Sequence, residues 1–452
     1  MDAASVFAEW VEKTRYEDIP TEVYEVTKTT ILDTLGCMVA ATTLGPTSKQ
    51  IAKLVKSQGG KKESTILGFG IKAPSLMAAF ANGCLARNLD YCESYYPAGH
   101  MSELTVSAGL SVAESIGRVS GRKFLTAIAL GEEIACRLSS ARRGGRHIFL
   151  GGWGATATVS KLLGLNKKGI EDAFGLLLQQ CAGTGQIYMG LGTDVRSIRA
   201  GFEAKASVLS ALLAKEGIVG PSESLEGQDG YFEVFFDGKY DRENLLGDLG
   251  KSFHSQWMSY KPWPCCRSTQ GYLEATLKLV NENAIRTDQI QEIVPVVTEL
   301  RMGNINPSIE ERRRPATVMD AKFSLPFVLA TAAAKRKVGL TDFMPASLRD
   351  SVVLELAQKV VPRMEPVTHD KDIGFGTVEI KMKDGRVLTK AVVYAYGHPR
   401  NPMSREEMVS KFRDCVSYSV KPLEKAEVDK VIDLIFHLEQ VENLNEVVQL
   451  LG

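Results

Sequence analysis

Apolar side chains recur every three or four residues over most of the chain between residues 20 and 265, a spacing that predicts helices. One such stripe runs from Val23 to Val39 and follows Pro20, a residue typical of a helix start. Further helices are expected from Pro74, from Ser102, and over 120–138, 155–164, 168–181 and 197–216. Many of these segments are rich in Ala, Gly and Ser, so we expect a compact helical bundle.

Two later segments show the alternation of strands instead. Residues 291–302 and 374–396 alternate apolar and polar side chains, and Asp384-Gly385 within the second is a hairpin signal. Helix signals return with Ser404 and Glu407, which are spaced as a capping box. The pattern predicts a mostly α protein. A large all-helical domain would comprise residues 1–264 and 403–452, and a smaller α+β domain would comprise residues 265–402, with a small-molecule site in the cleft between them.

The composition of the chain argues against several classes of binding partner. The 452 residues carry 54 Lys and Arg against 54 Asp and Glu, a balance that offers no attraction for nucleic acid or an anionic membrane. The beginning of the sequence lacks the basic and apolar regions of a signal peptide, and no apolar run reaches the length of a membrane span. The eight cysteines are scattered and show no metal-ligand spacing. We therefore expect a cytoplasmic protein with reduced thiols and no metal site.

The loop from Asp90 to His100 holds the densest candidate chemistry. It contains two carboxylates, a hydroxyl, three tyrosines, a thiol and an imidazole. His100 could carry a proton near neutral pH, and Asp90 could orient it or take a proton itself. The alternative is that His100 caps the following helix or faces solvent.

Two other segments offer positive charge. A Gly-rich stretch leads into a helix with Arg196 and Arg199 three residues apart, which suits a carboxylate or phosphate, although it matches neither a P-loop nor a dinucleotide fingerprint. A proline-stiffened stretch carries Lys261 and Arg267. The alternatives are a solvated basic face and a rigid hinge. The arginine runs at 142–146 and 312–314 are expected to be solvated.

Short motifs also occur in a recognisable order along the chain: Leu32-Asp33-Thr34-Leu35-Gly36, Asn82-Gly83, Gly192-Thr193, Lys261-Pro262-Trp263-Pro264-Cys265, Ala321-Lys322-Phe323-Ser324-Leu325-Pro326, Gly397-His398-Pro399-Arg400-Asn401-Pro402 and Lys411-Phe412. With the loop that ends at His100, they cover nearly the whole length. In this order and spacing the chain resembles the MmgE/PrpD family, which includes 2-methylcitrate dehydratase, cis-aconitate decarboxylase and iminodisuccinate epimerase. The resemblance implies that the smaller α+β domain is a lid on the helical domain formed by both chain ends. It also implies a homodimer that acts on a small polycarboxylate without a metal or organic cofactor.

Carried over by the resemblance, Asp90 and His100 match the family's aspartate and histidine, and Ser94 stands where threonine is usual. Other positions depart from the family. Arg196 replaces a lysine and Arg199 a histidine. Histidines are also replaced by Gly154 and Gln270, and Phe327 stands where the decarboxylase has tyrosine. Arginine stays charged, so Arg196 is expected to anchor a carboxylate and not to act as a base.

The sequence hypothesis is a dehydratase of a small hydroxy-di- or tricarboxylate. His100 would move the proton, supported by Asp90, and substrate would be bound by Ser94, Arg196, Arg199, Lys261 and Gln270. Two alternatives stay open. One is an epimerase of an amino- or imino-dicarboxylate that works through the same carbanion, and the other is a metabolite-binding protein without catalysis.

Overall fold

The computed structural model of the protein describes residues 1–95, 99–144, 149–188, 190–298, 305, 308–365 and 375–452. It is 59% helical and 9% strand, which confirms the predicted mostly α fold. Predictions that fall on residues 96–98, on Arg146 or on 299–302 lie outside the described residues.

The helices are α1 (Ala3–Lys13), α2 (Thr21–Leu44), α3 (Ser48–Gln58), α4 (Ser75–Asn88), α5 (Ser102–Ile116), α6 (Gly121–Ala141), α7 (Gly151–Leu163), α8 (Lys167–Leu178), α9 (Val195–Lys215), α10 (Tyr231–Phe236), α11 (Arg242–Leu246), α12 (Gln270–Glu282), α13 (Ile309–Arg313), α14 (Val318–Lys322), α15 (Leu325–Lys335), α16 (Ser351–Gln358), α17 (Arg405–Val416), α18 (Lys425–Phe436) and α19 (Asn445–Leu451).

The strands are short: β1 (Ser64–Ile66), β2 (Ile71–Ala73), β3 (Ser94–Tyr95), β4 (Met258–Ser259), β5 (Ile290–Val297), β6 (Arg363–Met364), β7 (Gly376–Met382) and β8 (Val387–Val392). The last four form one sheet in the order β6-β5-β7-β8, in which only the β5–β6 pair is parallel. Strands β1 and β2 pair with each other, as do β3 and β4.

Local signals account for many boundaries. Helices α2 and α4 begin directly after Pro20 and Pro74. Ser404 and Glu407 form the predicted capping box at the start of α17. Asp384-Gly385 lies in the turn between β7 and β8, where Gly385 has a φ of 89°. These elements confirm the predictions because their determinants lie within a turn of the boundary.

The apolar side chains form two main cores. One is built mainly from residues between Ala3 and Phe253 together with α17 to α19, and the other from residues between Cys265 and Ala395. The end of the chain packs on its first half: the amide of Gly68 donates to the carbonyl of Leu451 at 2.7 Å, and α17 packs on α2. The domain boundaries at 264/265 and 402/403 stay a prediction.

Helix α4 crosses α9 at very close range. A Cβ atom at Gly83 would lie 2.8 Å from the carbonyl oxygen of Ala200, so only glycine fits. This approach brings the last turn of α4 and the first turns of α9 together, and both carry charged side chains that are buried.

Candidate active site

The chain turns sharply after α4, at Asp90, whose φ of 50° is left-handed. Three buried lysines from distant segments each donate to one of three successive carbonyls there: Lys322 to Leu89, Lys261 to Asp90 and Lys411 to Tyr91. These carbonyls come directly after α4, which ends at Asn88, and a buried carbonyl group needs a hydrogen-bond donor. The lysines satisfy them and fix the position of Asp90.

The Asp90 carboxylate belongs to a row of buried charges of alternating sign. One oxygen lies 3.1 Å from Lys261 Nζ and the other 3.0 Å from an Arg87 terminal nitrogen. Arg87 also contacts Glu103 at 3.3 Å. Glu103 in turn contacts Arg199 at 2.7 Å, and the row ends where Arg199 meets Glu203 at 2.8 Å. Every cation of this row is therefore paired with protein carboxylates.

Burial and neighbouring charges shift the pKa values of the ionisable groups in and beside this row in opposite directions. Burial alone would raise the pKa of Asp90, but Lys261 and Arg87 outweigh it and hold that pKa below its ordinary value. At the other end, burial raises the pKa of Glu203 to about 7 despite Arg199. Burial also lowers the pKa of Lys322 to about 8, although Asp90 opposes this. Asp90 therefore stays ionised and acts through its charge.

His100 lies half-buried at the end of the loop. Its Nδ1 is 2.7 Å from the carbonyl oxygen of Glu93. A carbonyl can only accept, so Nδ1 carries the hydrogen and a neutral ring keeps its lone pair on Nε2. Nε2 makes no hydrogen bond to any residue that the structure describes. Burial, followed by the positive charges of Arg87, Lys261 and Arg199, holds the pKa of His100 well below its ordinary value. The imidazole is therefore neutral near pH 7 and can accept a proton at Nε2.

The sequence hypothesis expected Asp90 to orient His100. In the structure, the orienting contact comes from the main-chain carbonyl of Glu93 instead. Both residues are described, and the structure places no hydrogen bond between Asp90 and His100. The carboxylate of Asp90 is occupied by Lys261 and Arg87. After burial, Arg87 and Lys261, the two cations paired with Asp90, contribute to the lowered pKa of His100.

The expected substrate arginines lie near this row but face different partners. Arg196 donates through Nε to the carbonyl of Ile187 at 2.6 Å and stacks over the ring of Phe323. Arg199 contacts carboxylates of the row, as does Lys261. In the Gly-rich stretch, the Gly192 amide donates to the carboxylate of Asp320 at 3.0 Å. That these three cations bind a substrate carboxylate stays a prediction.

Ser94 and Gln270 are both buried. Ser94 lies in β3 opposite Ser259, and its hydroxyl has no hydrogen-bond partner among the described residues. Gln270 begins α12, and its amide nitrogen donates to the carbonyls of Trp263 and Cys265 at 3.0 and 3.1 Å. Gln270 thus stabilises the proline-rich segment, and its role in binding substrate stays a prediction.

Comparison with known proteins now decides the family. Residues 5–243 match the family model for the MmgE/PrpD N-terminal domain, and residues 263–438 match that for the C-terminal domain. The chain belongs to the MmgE/PrpD family. A cis-aconitate decarboxylase of Aspergillus terreus is 26% identical over 98% of this chain and 94% of its own. The Homo sapiens cis-aconitate decarboxylase is 26% identical over 98% of this chain and 93% of its own. A 2-methylcitrate dehydratase of Salmonella typhimurium is 24% identical over 88% of this chain and 87% of its own.

Two departures of this MmgE/PrpD chain have a packing reason. Gly154 lies in α7 where α6 passes, and a Cβ there would lie 2.2 Å from the carbonyl oxygen of Gly131. The position has no room for the histidine that the family usually has. Phe327 is fully buried in the second core beside Phe343. Both positions serve packing.

One sequence expectation was wrong. Arg312, in the run that was expected to be solvated, is 1% exposed and donates to the carbonyl of Phe323 at 3.3 Å. Burial lowers its pKa to about 10, and Arg196 adds to this by repulsion. Arg312 and Arg313 lie in α13, which packs against α15 and α16.

Sequence reasoning missed Arg87, Glu93 and Lys322. Arg87 had a usable signal, since it precedes Asp90 by three residues in the last turn of α4. Lys322 lay inside one of the family motifs, but its contact with Leu89 joins residues 233 positions apart. Glu93 was counted only as one carboxylate of the loop. Within the described ranges, no group of three or more His, Cys, Asp or Glu side chains could hold a metal ion, and no helix could cross a membrane.

Proposed function

We propose that this chain is a cofactor-independent hydro-lyase that removes water from a small hydroxy-di- or tricarboxylate of the 2-methylcitrate type. The observation that carries the proposal is the state of His100. The imidazole is neutral, its Nδ1 hydrogen is held by a carbonyl, and Nε2 is unpartnered among the described residues. An imidazole in this state is a general base for a proton next to a carboxylate.

The reaction then needs one proton carrier. His100 Nε2 takes the proton from the carbon next to a carboxylate, and the electron pair moves toward that carboxylate. This pair then forms the carbon–carbon double bond as the hydroxyl group on the neighbouring carbon leaves with the proton that the imidazolium returns, which gives an unsaturated acid and water. The positive charges of Arg87 and Lys261 stabilise the negative charge that develops in the transition state.

Decarboxylation is a second candidate reaction because several similar proteins are named decarboxylases. The matches that span 98% of this chain include proteins named cis-aconitate decarboxylase from a fungus and from Homo sapiens. In that reaction a carboxylate leaves as carbon dioxide and the resulting carbanion takes a proton, which protonated His100 could supply. A neutral resting His100 and a buried phenylalanine at position 327 favour dehydration.

Proton NMR in heavy water tests these alternatives in one experiment. Citrate, 2-methylcitrate, malate, tartrate, cis-aconitate and aspartate are each incubated with the protein. Dehydration gives vinyl signals, decarboxylation replaces the proton signals of cis-aconitate with those of an unsaturated acid that has one carboxylate fewer, and epimerisation gives deuterium exchange without elimination. His100→Gln serves as the matched variant. Binding of an acid by calorimetry without any chemistry would refute the enzymatic proposal. Homodimer formation and a cytoplasmic location stay predictions from the sequence.

A further inference from the structure

One residue, Glu93, binds both the His100 ring and the two residues that follow it. Its main-chain carbonyl accepts the Nδ1 hydrogen of His100 at 2.7 Å. One carboxylate oxygen, Oε1, accepts the amides of Met101 and Ser102, both at 2.7 Å. These amides belong to the two residues that come directly after His100. The loop is thus closed by a single residue at three points.

The backbone of Glu93 is itself fixed by the two residues after it. Ser94 and Tyr95 form β3, which pairs with Met258 and Ser259. The Tyr95 amide donates to the carbonyl of Gly99 at 3.0 Å, directly before His100. If the carboxylate of Glu93 released the amides of Met101 and Ser102, this turn and the hydroxyl contact between Thr34 and Ser102 would hold the chain around His100 less tightly. Nδ1 of His100 would then lose its fixed position against the Glu93 carbonyl.

The surroundings of Glu93 indicate that the length of its side chain matters more for binding the two amides than its negative charge does. The side chain is 0% exposed, and its second oxygen, Oε2, has no hydrogen-bond partner among the described residues. No lysine or arginine pairs with it in the described chain, while Glu103 repels it. Burial, partly offset by the amides, raises the pKa of Glu93 to about 7. One neutral oxygen at the same place could accept both amides.

We propose that Glu93 is the positioning residue of His100: through its carbonyl and Oε1 it selects the tautomer that leaves Nε2 free to take a proton. The inference rests on the proposed role of His100 as the base, but the position and tautomer of the ring can be measured without any substrate.

Two substitutions separate reach from charge. Glu93→Gln keeps the length and an oxygen acceptor but removes the charge. Glu93→Asp keeps the charge but is one methylene shorter and cannot reach both amides. Glu132→Gln is the matched control, because it changes another buried carboxyl on α6 that makes no hydrogen bond to the loop within the described residues.

Nitrogen-15 NMR of histidine-labelled protein near pH 7 reads the tautomer, and the His100→Gln spectrum assigns the His100 signals. The parent, Glu93→Gln and Glu132→Gln should show a protonated Nδ1 and an unprotonated Nε2. Glu93→Asp should show a mixture of tautomers. An unchanged tautomer in Glu93→Asp, or the same mixture in Glu93→Gln, would overturn the inference whether or not any acid is turned over.

Kinetics adds a second readout on whichever acid of the NMR panel reacts. A misplaced base lowers kcat by about 100-fold with little change in KM, and we expect this for Glu93→Asp. Glu93→Gln should recover all but a few-fold of that loss. If Glu93→Gln is as slow as Glu93→Asp, the charge of Glu93 matters and the positioning role is wrong.

Discussion

Glu132 on α6 has a buried carboxyl group that no positive charge among the described residues balances. It is 0% exposed, and neither carboxyl oxygen has a hydrogen-bond partner within the described part of the chain. Burial, and after it the negative charge of Glu93, raise the pKa of Glu132 well above its ordinary value. The side chain therefore stays protonated in the folded protein near neutral pH.

This proton makes stability depend on pH with a definite sign. In the unfolded chain Glu132 ionises with a pKa near 4.5, so above that pH the folded state binds one more proton than the unfolded state. The contribution of Glu132 to stability is complete below the unfolded pKa and is lost as pH rises toward the folded pKa. The free energy of unfolding falls by about 1.4 kcal/mol per pH unit over that window. Glu132→Gln removes the slope, so its advantage over the parent should grow with pH above the unfolded pKa, by up to about 1.4 kcal/mol per pH unit.

Urea unfolding at pH 6, 7 and 8, followed by circular dichroism, measures the difference. Glu22→Gln is the control, because Glu22 is exposed in the first turn of α2 and its difference from the parent should stay flat. A Glu132→Gln advantage that is also flat over this range would mean that Glu132 is ionised in the folded protein. The reasoning from burial would then be wrong.

Three further substitutions have definite outcomes. His100→Gln should lower kcat by at least about 100-fold in the NMR panel assay while changing the free energy of unfolding by about 1 kcal/mol or less, since it removes one hydrogen bond. Arg87→Met should cost about 3–5 kcal/mol in urea unfolding, because it leaves two buried carboxylates without that partner. The same change should raise the pKa of His100 in an NMR titration, since a nearby positive charge is lost. Gly154→Ala should lower the thermal midpoint by the equivalent of about 1–3 kcal/mol, because its Cβ would meet the carbonyl of Gly131. An unshifted His100 pKa in Arg87→Met, or an unchanged midpoint in Gly154→Ala, would contradict these expectations.

The fold could be predicted where its determinants are local. Pro20 and Pro74 precede helices because a proline suits a helix start, and Asp384-Gly385 turns between β7 and β8 because glycine accepts a positive φ. The small residues of α4 and α9 indicated close helix packing, and Gly83 shows that contact. Each of these signals acts within a turn or across one helix crossing.

The candidate site could be predicted only in part. His100 and Asp90 were found because the loop concentrates polar groups, and Arg196 and Arg199 because their spacing suggests a shared helix face. Spacing does not show which distant element supplies the opposite charge. Arg199 meets Glu103 on another helix, whereas Arg196 turns to Phe323. Those partners depend on how α9 packs, which the local sequence does not encode.

The three lysines around Asp90 connect the folding of the chain to the state of His100. Lys322 comes from α14, Lys411 from α17, and Lys261 from the segment between the two cores. They meet at the end of α4 only when all three segments are in place, and Lys411 also donates to the carbonyl of Lys261 at 2.8 Å. Asp90 balances part of the charge of Lys261 and Lys322, while burial and then the charges of Arg87, Lys261 and Arg199 disfavour a proton on His100. The unprotonated Nε2 of His100 is thus a product of the assembled molecule: loosening Lys261 would weaken part of the positive potential that, together with burial, keeps the imidazole neutral.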